Sequence, residues 1–290
     1  MHRQRKQCQH YTMKGMKKKR VTQGRRHRWN VTPGEAREIQ EELRKKWEGR
    51  DRLGEIRTVA GLDAAFVLSE SQALKKKVSR WERLRGANQA IGCVVVYQLK
   101  LDPRAQARTP FAEAQGKAVP LEEIERAYAV VPLEFPYVPG YLSFREIPAL
   151  LAAVGKLRAL PDLLFCDGQG YAHPRRFGLA THLGVWLDRP TIGCAKSLLI
   201  GEHGELSKRA GIWAELVDPK NGERIGAAVR TRDGVKPVYV SQGNRVSLET
   251  AIRMTLAVSD GFRIPRPTRD ADHFASSIKR RLLQEGLCKN

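Results

Sequence analysis

Carboxylates are the scarce charged group in this chain. Its 290 residues carry 31 Asp and Glu against 52 Lys and Arg, a formal charge of +21 at pH 7. A field of that sign repels basic surfaces and attracts polyanions, so the candidate partners are DNA, RNA or an anionic membrane. Long hydrophobic runs are missing too: none approaches the roughly 18 to 20 apolar residues that span a bilayer, so no membrane insertion is expected. The basic N-terminus is not followed by an apolar core, so no secretory signal is expected and the protein reads as soluble and cytoplasmic. Cysteine is sparse. Cys8, Cys93, Cys166, Cys194 and Cys288 are odd in number, widely spaced and without a Cys-x-x-Cys pair, which argues against a disulfide framework and a zinc ribbon. Cys93, Cys166 and Cys194 lie in apolar stretches and read as buried thiols.

The first 30 residues contain no acid at all. They hold about half of the net charge and lack helical or strand periodicity, so residues 1–30 are expected to form a disordered basic arm, either solvated or resting on phosphates. One folded domain is expected over residues 31–290. Thr32-Pro33 gives an N-cap and a first-turn proline for a helix through about Trp47. Three strand-like runs follow at Ile56 to Leu68, Ala90 to Leu101 and Glu125 to Leu133. The polar segments 69–89 and 102–124 between them read as long surface loops. A helix from Ile147 to Arg158 then leads into a strand from Asp162 to Cys166, and Thr191 to Ala195 reads as another buried strand. Ile212 to Leu216, Arg224 to Arg230 and Val238 to Val240 suggest a meander with turns at Asn221-Gly222 and Asp233-Gly234. Ser247 starts a helix, and a basic helix runs from about Thr268 to Leu283. The order predicts an α/β domain with a mixed sheet and helices on its faces.

Three acids stand out. Asp63 interrupts the apolar run Val59-Ala60-Gly61-Leu62-Asp63-Ala64-Ala65-Phe66. A carboxylate there needs a cation, a hydrogen-bond network or a proton, unless it faces solvent from an edge strand. Asp167 ends the strand Leu163-Leu164-Phe165-Cys166 and precedes Gly168-Gln169-Gly170. Ligands gather at the carboxyl ends of strands in such sheets, and glycines let a phosphate approach the backbone, although a turn aspartate is the plain alternative. The same loop continues through His173, Pro174, Arg175 and Arg176, bringing groups for proton transfer and phosphate binding close to the acid. Glu146 follows a rigid, aromatic loop, Pro136-Tyr137-Val138-Pro139-Gly140-Tyr141, and is expected at a helix N-terminus, where a macrodipole acid is the plain alternative. Together the three offer hard oxygen ligands suited to Mg²⁺ or Mn²⁺.

These segments resemble the signature stretches of the endonuclease V family of ribonuclease H-like nucleases. The resemblance rests on Val59 to Asp63, Pro136 to Gly140 with Phe144-Arg145-Glu146, and Asp167 to Gly178. It also includes Thr191-Ile192-Gly193-Cys194-Ala195-Lys196-Ser197 and Val240 to Ser247, and it extends from about residue 32 to about 276. Five ordered segments are far more specific than one motif.

The resemblance implies a ribonuclease H-like mixed sheet flanked by helices and a Mg²⁺-dependent endonuclease, with Mn²⁺ as a substitute, acting in DNA repair. Its substrate would be DNA containing deaminated bases such as deoxyinosine, cut at the second phosphodiester 3′ to the lesion to leave 3′-hydroxyl and 5′-phosphate ends. Asp63, Glu146 and Asp167 would hold the metal, with His173 and Lys196 as further catalytic residues. Tyr137 would be the wedge that fills the space of a flipped base, beside Pro139, Gly140, Gly168 and Arg175. The same resemblance leaves open an endoribonuclease acting on inosine in RNA. A monomer is expected. Two departures stand against the family pattern. Asn244 occupies a position in Ser241-Gln242-Gly243-Asn244 where a histidine is expected, which would leave it a substrate contact without proton transfer and allow a weakened, binding-only protein. Segments 69–89 and 102–124 are also longer than the family's loops.

Overall fold

Burial on both faces of one sheet explains the apolar runs that alternate poorly. The computed structural model describes residues 27–68, 86–100 and 118–285, and within these an eight-stranded sheet has the order β3-β2-β1-β4-β5-β8-β7-β6. The strands are β1 (Thr58–Leu68), β2 (Ala87–Leu99), β3 (Leu121–Pro132), β4 (Leu163–Cys166), β5 (Thr191–Ala195), β6 (Trp213–Val217), β7 (Arg224–Val229) and β8 (Val238–Asn244). β1, β4 and β5 are parallel. β2 and β3 extend one side as an antiparallel hairpin pair, and β8, β7 and β6 extend the other. This is the expected mixed α/β sheet.

Among the described residues five helices cover the faces: α1 (Pro33–Arg44), α2 (Leu142–Val154), α3 (Leu179–Leu187), α4 (Leu248–Ala257) and α5 (Arg266–Gln284). Alternation along the strands assigns each side chain to a face. Val59, Leu163 and Phe165 join a core with Leu248, Ala251 and Ala271 from α4 and α5. Ala60, Leu62, Leu164 and Cys166 join a second core with Phe144, Ile147, Leu150 and Leu183 from α2 and α3. Thr32 and Glu35 form the capping box that starts α1, and Ser247 caps α4.

Several boundaries differ from the sequence-based expectation. The helix expected over Ile147 to Arg158 is α2, Leu142–Val154, with Pro148 inside it. Proline favours a first turn, which draws the expected start too far along the chain. Glu146 therefore lies within the helix rather than at its beginning. α3 has no counterpart in the expected elements, because a short helix apolar on nearly every side shows no amphipathic period. The supposed loop 102–124 ends in structure: Val119 N–H donates to the Ala257 carbonyl and β3 begins at Leu121. The first expected loop, 69–89, likewise ends early, at Ala87 where β2 begins, and residues 69–85 and 102–117 of the two loops, with Leu101, lie outside the described residues. So do residues 1–26 of the expected arm, whereas His27 and Trp29 near its end are packed. Trp29 is buried with its ring tilted against that of Trp186 at 4.8 Å, and the His27 ring hydrogen-bonds to His182 at 2.9 Å. Among the described residues no helix is long and apolar enough to cross a membrane.

Candidate active site

The carboxyl ends of the parallel strands carry the site, and strand parity decides which acids meet. Asp63 shares its face with Val59 and Gly61, and Asp167 follows Phe165 on the same face. That face is covered by α5. Gly61 makes this contact close: a Cβ there would fall 1.8 Å from the Pro267 carbonyl oxygen, at the start of α5. The helix backbone thus lies directly on β1 and delivers Asp272 to the strand ends. Ligand oxygens of Asp63, Asp167 and Asp272 all lie within 4.8 Å of one another.

Lys196, directly after β5, reaches into this cluster. Its Nζ pairs with Asp167 at 2.5 Å and with Asp272 at 2.7 Å. Burial pushes the Asp63 carboxyl well above its ordinary pKa, and repulsion from Asp167 adds to it. Burial raises Asp167 as well, against the pull of Lys196. Burial acts to lower Lys196, yet the Asp167 carboxylate outweighs it and holds the ammonium above its usual range.

Glu146 approaches from the opposite face on α2, whose close packing depends on Gly92: a Cβ there would meet the Ala149 backbone at 2.2 Å. Its carboxyl is buried and lies outside the 4.8 Å group, but it feels it. Burial, then the charges of Asp63 and Asp167, raise it well above the usual range. Four carboxyls thus converge with one lysine among them, an arrangement that a divalent cation would relieve, and the all-oxygen donor set suits Mg²⁺ or Mn²⁺. The residues present fit such an ion. Asp272 was not singled out from the sequence, because an acid on an amphipathic helix reads as solvent-facing. The available signal was spacing: Asp272 is four residues after buried Thr268 and three before buried Ala275, at the edge of the buried stripe.

The loop after Asp167 is tied to the aromatic loop through one carbonyl. Gly140, with φ of 82°, presents its oxygen to Arg175 Nη2 at 2.5 Å and to His173 Nε2 at 3.0 Å. Gln40 closes the arrangement by accepting from Arg175 Nε at 2.5 Å, and the guanidinium stacks over Tyr141 at 4.1 Å. His173 Nδ1 accepts from the Arg175 N–H at 3.2 Å, so Nε2 carries the proton and donates to Gly140. Burial, then Arg175, lowers its pKa to about 4, and the ring is neutral near pH 7. Arg176 is held in the left-handed region with φ of 54° and pairs with Asp218 at 2.5 Å and Glu223 at 2.8 Å. His173 and Arg176 are therefore framework as much as chemistry.

Tyr137 is half-buried between exposed Pro136 and Pro139, at the rim of the same loop. Gly168 has room limited by Leu179, 3.0 Å from a Cβ position. The expectation that glycines here admit a phosphate needs correction at Gly170: a Cβ would fall 2.1 Å from the Gln242 carbonyl oxygen, so this glycine serves strand packing. Asn244 also takes a different job from the substrate contact expected. It is 2% exposed, accepts from the Glu48 N–H at 3.1 Å and donates to the Gly184 carbonyl at 3.2 Å. It pairs with Thr191 at the start of β5, whereas Lys196 follows the other end. Asn244 is thus a packing residue at the end of β5 away from Lys196 and the carboxylate cluster.

A family model described as Endonuclease V matches residues 72–273. The Endonuclease V of Roseiflexus castenholzii is 46% identical over 250 residues, covering 86% of this chain and 95% of its own. That of Trichormus variabilis is 43% identical over 252 residues, with coverage of 87% and 97%. Among solved structures, Endonuclease V from Streptomyces avermitilis is 37% identical with a TM-score of 0.67, over 90% of this chain and 96% of its own. Ciona intestinalis Endonuclease V, in complex with a 23mer DNA containing an inosine followed by a ribo-adenosine, is 25% identical with a TM-score of 0.64, over 87% and 100%. With a family model matching most of its length and relatives of this identity aligned nearly end to end, the chain belongs to the endonuclease V family.

Proposed function

We propose that this chain is a Mg²⁺-dependent repair endonuclease that recognises deoxyinosine in DNA and hydrolyses the second phosphodiester bond 3′ to it. The observation that carries the reading is the convergence of Asp63, Asp167 and Asp272 on Lys196 at the strand ends. Asp63, Asp167 and Asp272 would hold the ion, with Glu146 completing the site from the opposite face. When bound, a divalent ion there supplies Lewis acidity, activating water and offsetting charge that develops on phosphorus.

The protein's own groups do the rest. Lys196, kept protonated by its acidic neighbours, offers a positive charge to the phosphate as it becomes pentacovalent. Neutral His173 donates a hydrogen bond through Nε2 and holds the Gly140 turn, so the aromatic loop keeps its position beside the scissile bond. Tyr137, on that rigid loop, fills the gap left when hypoxanthine leaves the stack, and the weak pairing of that base lowers the cost of turning it out. Arg175, already committed to Gln40 and Gly140, acts by stiffening this wall.

The test is nicking of an oligonucleotide with a single deoxyinosine, in Mg²⁺ and in EDTA, with the products mapped to the nucleotide. A second reading, cleavage beside inosine in RNA, is favoured by the ribose directly after inosine in the DNA bound to the Ciona relative. Matched strands with deoxyribose or ribose at that position separate the two.

A further inference from the structure

β5, β8, β7 and β6 bring a second set of groups to the edge of the sheet that bears Lys196. Ala195 pairs with Tyr239, Val238 with Val229, and Val229 with Trp213. Lys196 and Trp213 therefore stand at the same end of the sheet, three strand spacings apart. At about 4.8 Å per strand this is roughly 14 Å, or about four base pairs along a duplex. Trp213 is 40% exposed and its neighbour Ile212 43%. No other ring stacks on Trp213 among the described residues, whereas the exposed Phe262 is covered by Arg269 at 4.2 Å.

The two loops flanking Trp213, residues 205–212 and 230–237, are zipped into one unit. Gly234 N–H donates to the Lys208 carbonyl, Gly211 N–H to the Arg230 carbonyl, and Ala210 N–H to Asp233 Oδ1. The Arg230 guanidinium is spent inside, donating to the carbonyls of Ser207, Leu206 and Val235. Arg263 fastens the unit to the active site, donating to the Lys196 carbonyl at 2.5 Å and the Pro237 carbonyl at 3.0 Å. The unit carries four exposed cations, Lys208, Arg209, Arg232 and Lys236. None of them forms an ion pair among the described residues, although Glu205 and Asp233 belong to the same loops. Elsewhere the surface arginines are commonly paired, as Arg224 is with Glu215 and Glu249.

We propose that this double loop is a docking platform for the stretch of nucleic acid next to the incised bond. Lys208, Arg209, Arg232 and Lys236 take its phosphates, and Trp213 with Ile212 takes a sugar or an unpaired base. The inference rests on the nuclease reading above. Charge selects the occupant: unpaired cations on a hydrogen-bonded double loop beside an exposed aromatic suit a phosphate backbone, and the platform continues the catalytic edge at a spacing that one duplex can bridge.

The test measures binding of the full chain to undamaged duplex DNA as a function of salt, so its outcome does not depend on whether deoxyinosine is cut. Each phosphate contact removed should lower the slope of log K against log salt by about 0.9, so replacing all four cations by Ala should lower it by about two to four units. Charge-reversed R209E and K236E together should weaken binding further. Trp213→Ala should weaken binding to single-stranded DNA by about tenfold, and Trp213→Phe should restore it. A salt slope and affinity equal to wild type in the fourfold variant and in the charge-reversed one would overturn the proposal.

Discussion

At the scale of single residues, one lysine holds two of the three clustered aspartates, and each of those aspartates should be needed for a different balance of the same site. Asp167→Asn and Asp272→Asn each remove a negative charge from the cluster while keeping its volume. Both should bind deoxyinosine DNA and lose Mg²⁺-dependent cleavage by at least about a hundredfold, read as single-turnover rates beside gel-shift affinity. Cleavage by Asp272→Asn at the wild-type rate would remove that residue from the metal set. His173 makes a separate prediction. Its pKa is lowered to about 4 in the folded chain, so as pH falls through 6.5 the unfolded chain takes up the proton first. Stability is full above 6.5 and declines as pH falls toward 4, by on the order of 3 kcal/mol for the whole shift. Buried His182 contributes with the same sign. Urea unfolding at pH 7 and pH 5 should show the loss, with a smaller difference in His173→Asn. Asp63 and Asp167 were legible from sequence because an acid in or just after an apolar strand is conspicuous. Asp272 was not, since a helix surface hides an acid among many. Asn244 misled because the chemistry of a side chain says nothing about which end of its strand it occupies.

At the scale of elements, two glycines set the height of two helices on opposite faces of the sheet. Gly61 admits the start of α5 against β1, and Gly92 admits α2 against β2. α5 carries Asp272 and α2 carries Glu146. Gly61→Ala should force α5 outward, at a cost of about 1 to 3 kcal/mol in thermal or urea unfolding, and reduce cleavage more than DNA binding. An unchanged cleavage rate in a folded Gly61→Ala protein would mean that the position of α5 is unimportant. Most of the strands and the mixed character of their sheet were readable in the sequence, since Val, Ile and Leu runs bounded by turns have few other interpretations. The helices around the site were less so. α2 was displaced along the chain by Pro148, and α3 was invisible because it lacks a polar face.

At the scale of the whole molecule, a charge of +21 predicts that nucleic-acid binding weakens steeply with salt, independently of base sequence. On the proposed function, recognition of the lesion comes from the loop that carries Tyr137 and the Gly140 turn, which His173 and Arg175 tie to the segment after Asp167. Tyr137→Ala should therefore reduce cleavage at deoxyinosine by at least about tenfold while leaving binding to undamaged DNA nearly intact, checked by parallel kinetics and gel shifts. The most direct measurement is cleavage of a labelled duplex bearing one deoxyinosine, in Mg²⁺ and in EDTA, with the cut mapped by sequencing gel. The proposed function predicts one nick, at the second phosphodiester 3′ to the inosine, present with Mg²⁺ and absent with EDTA. Nicking that persists in EDTA, or that falls equally on duplexes with and without inosine, would contradict it.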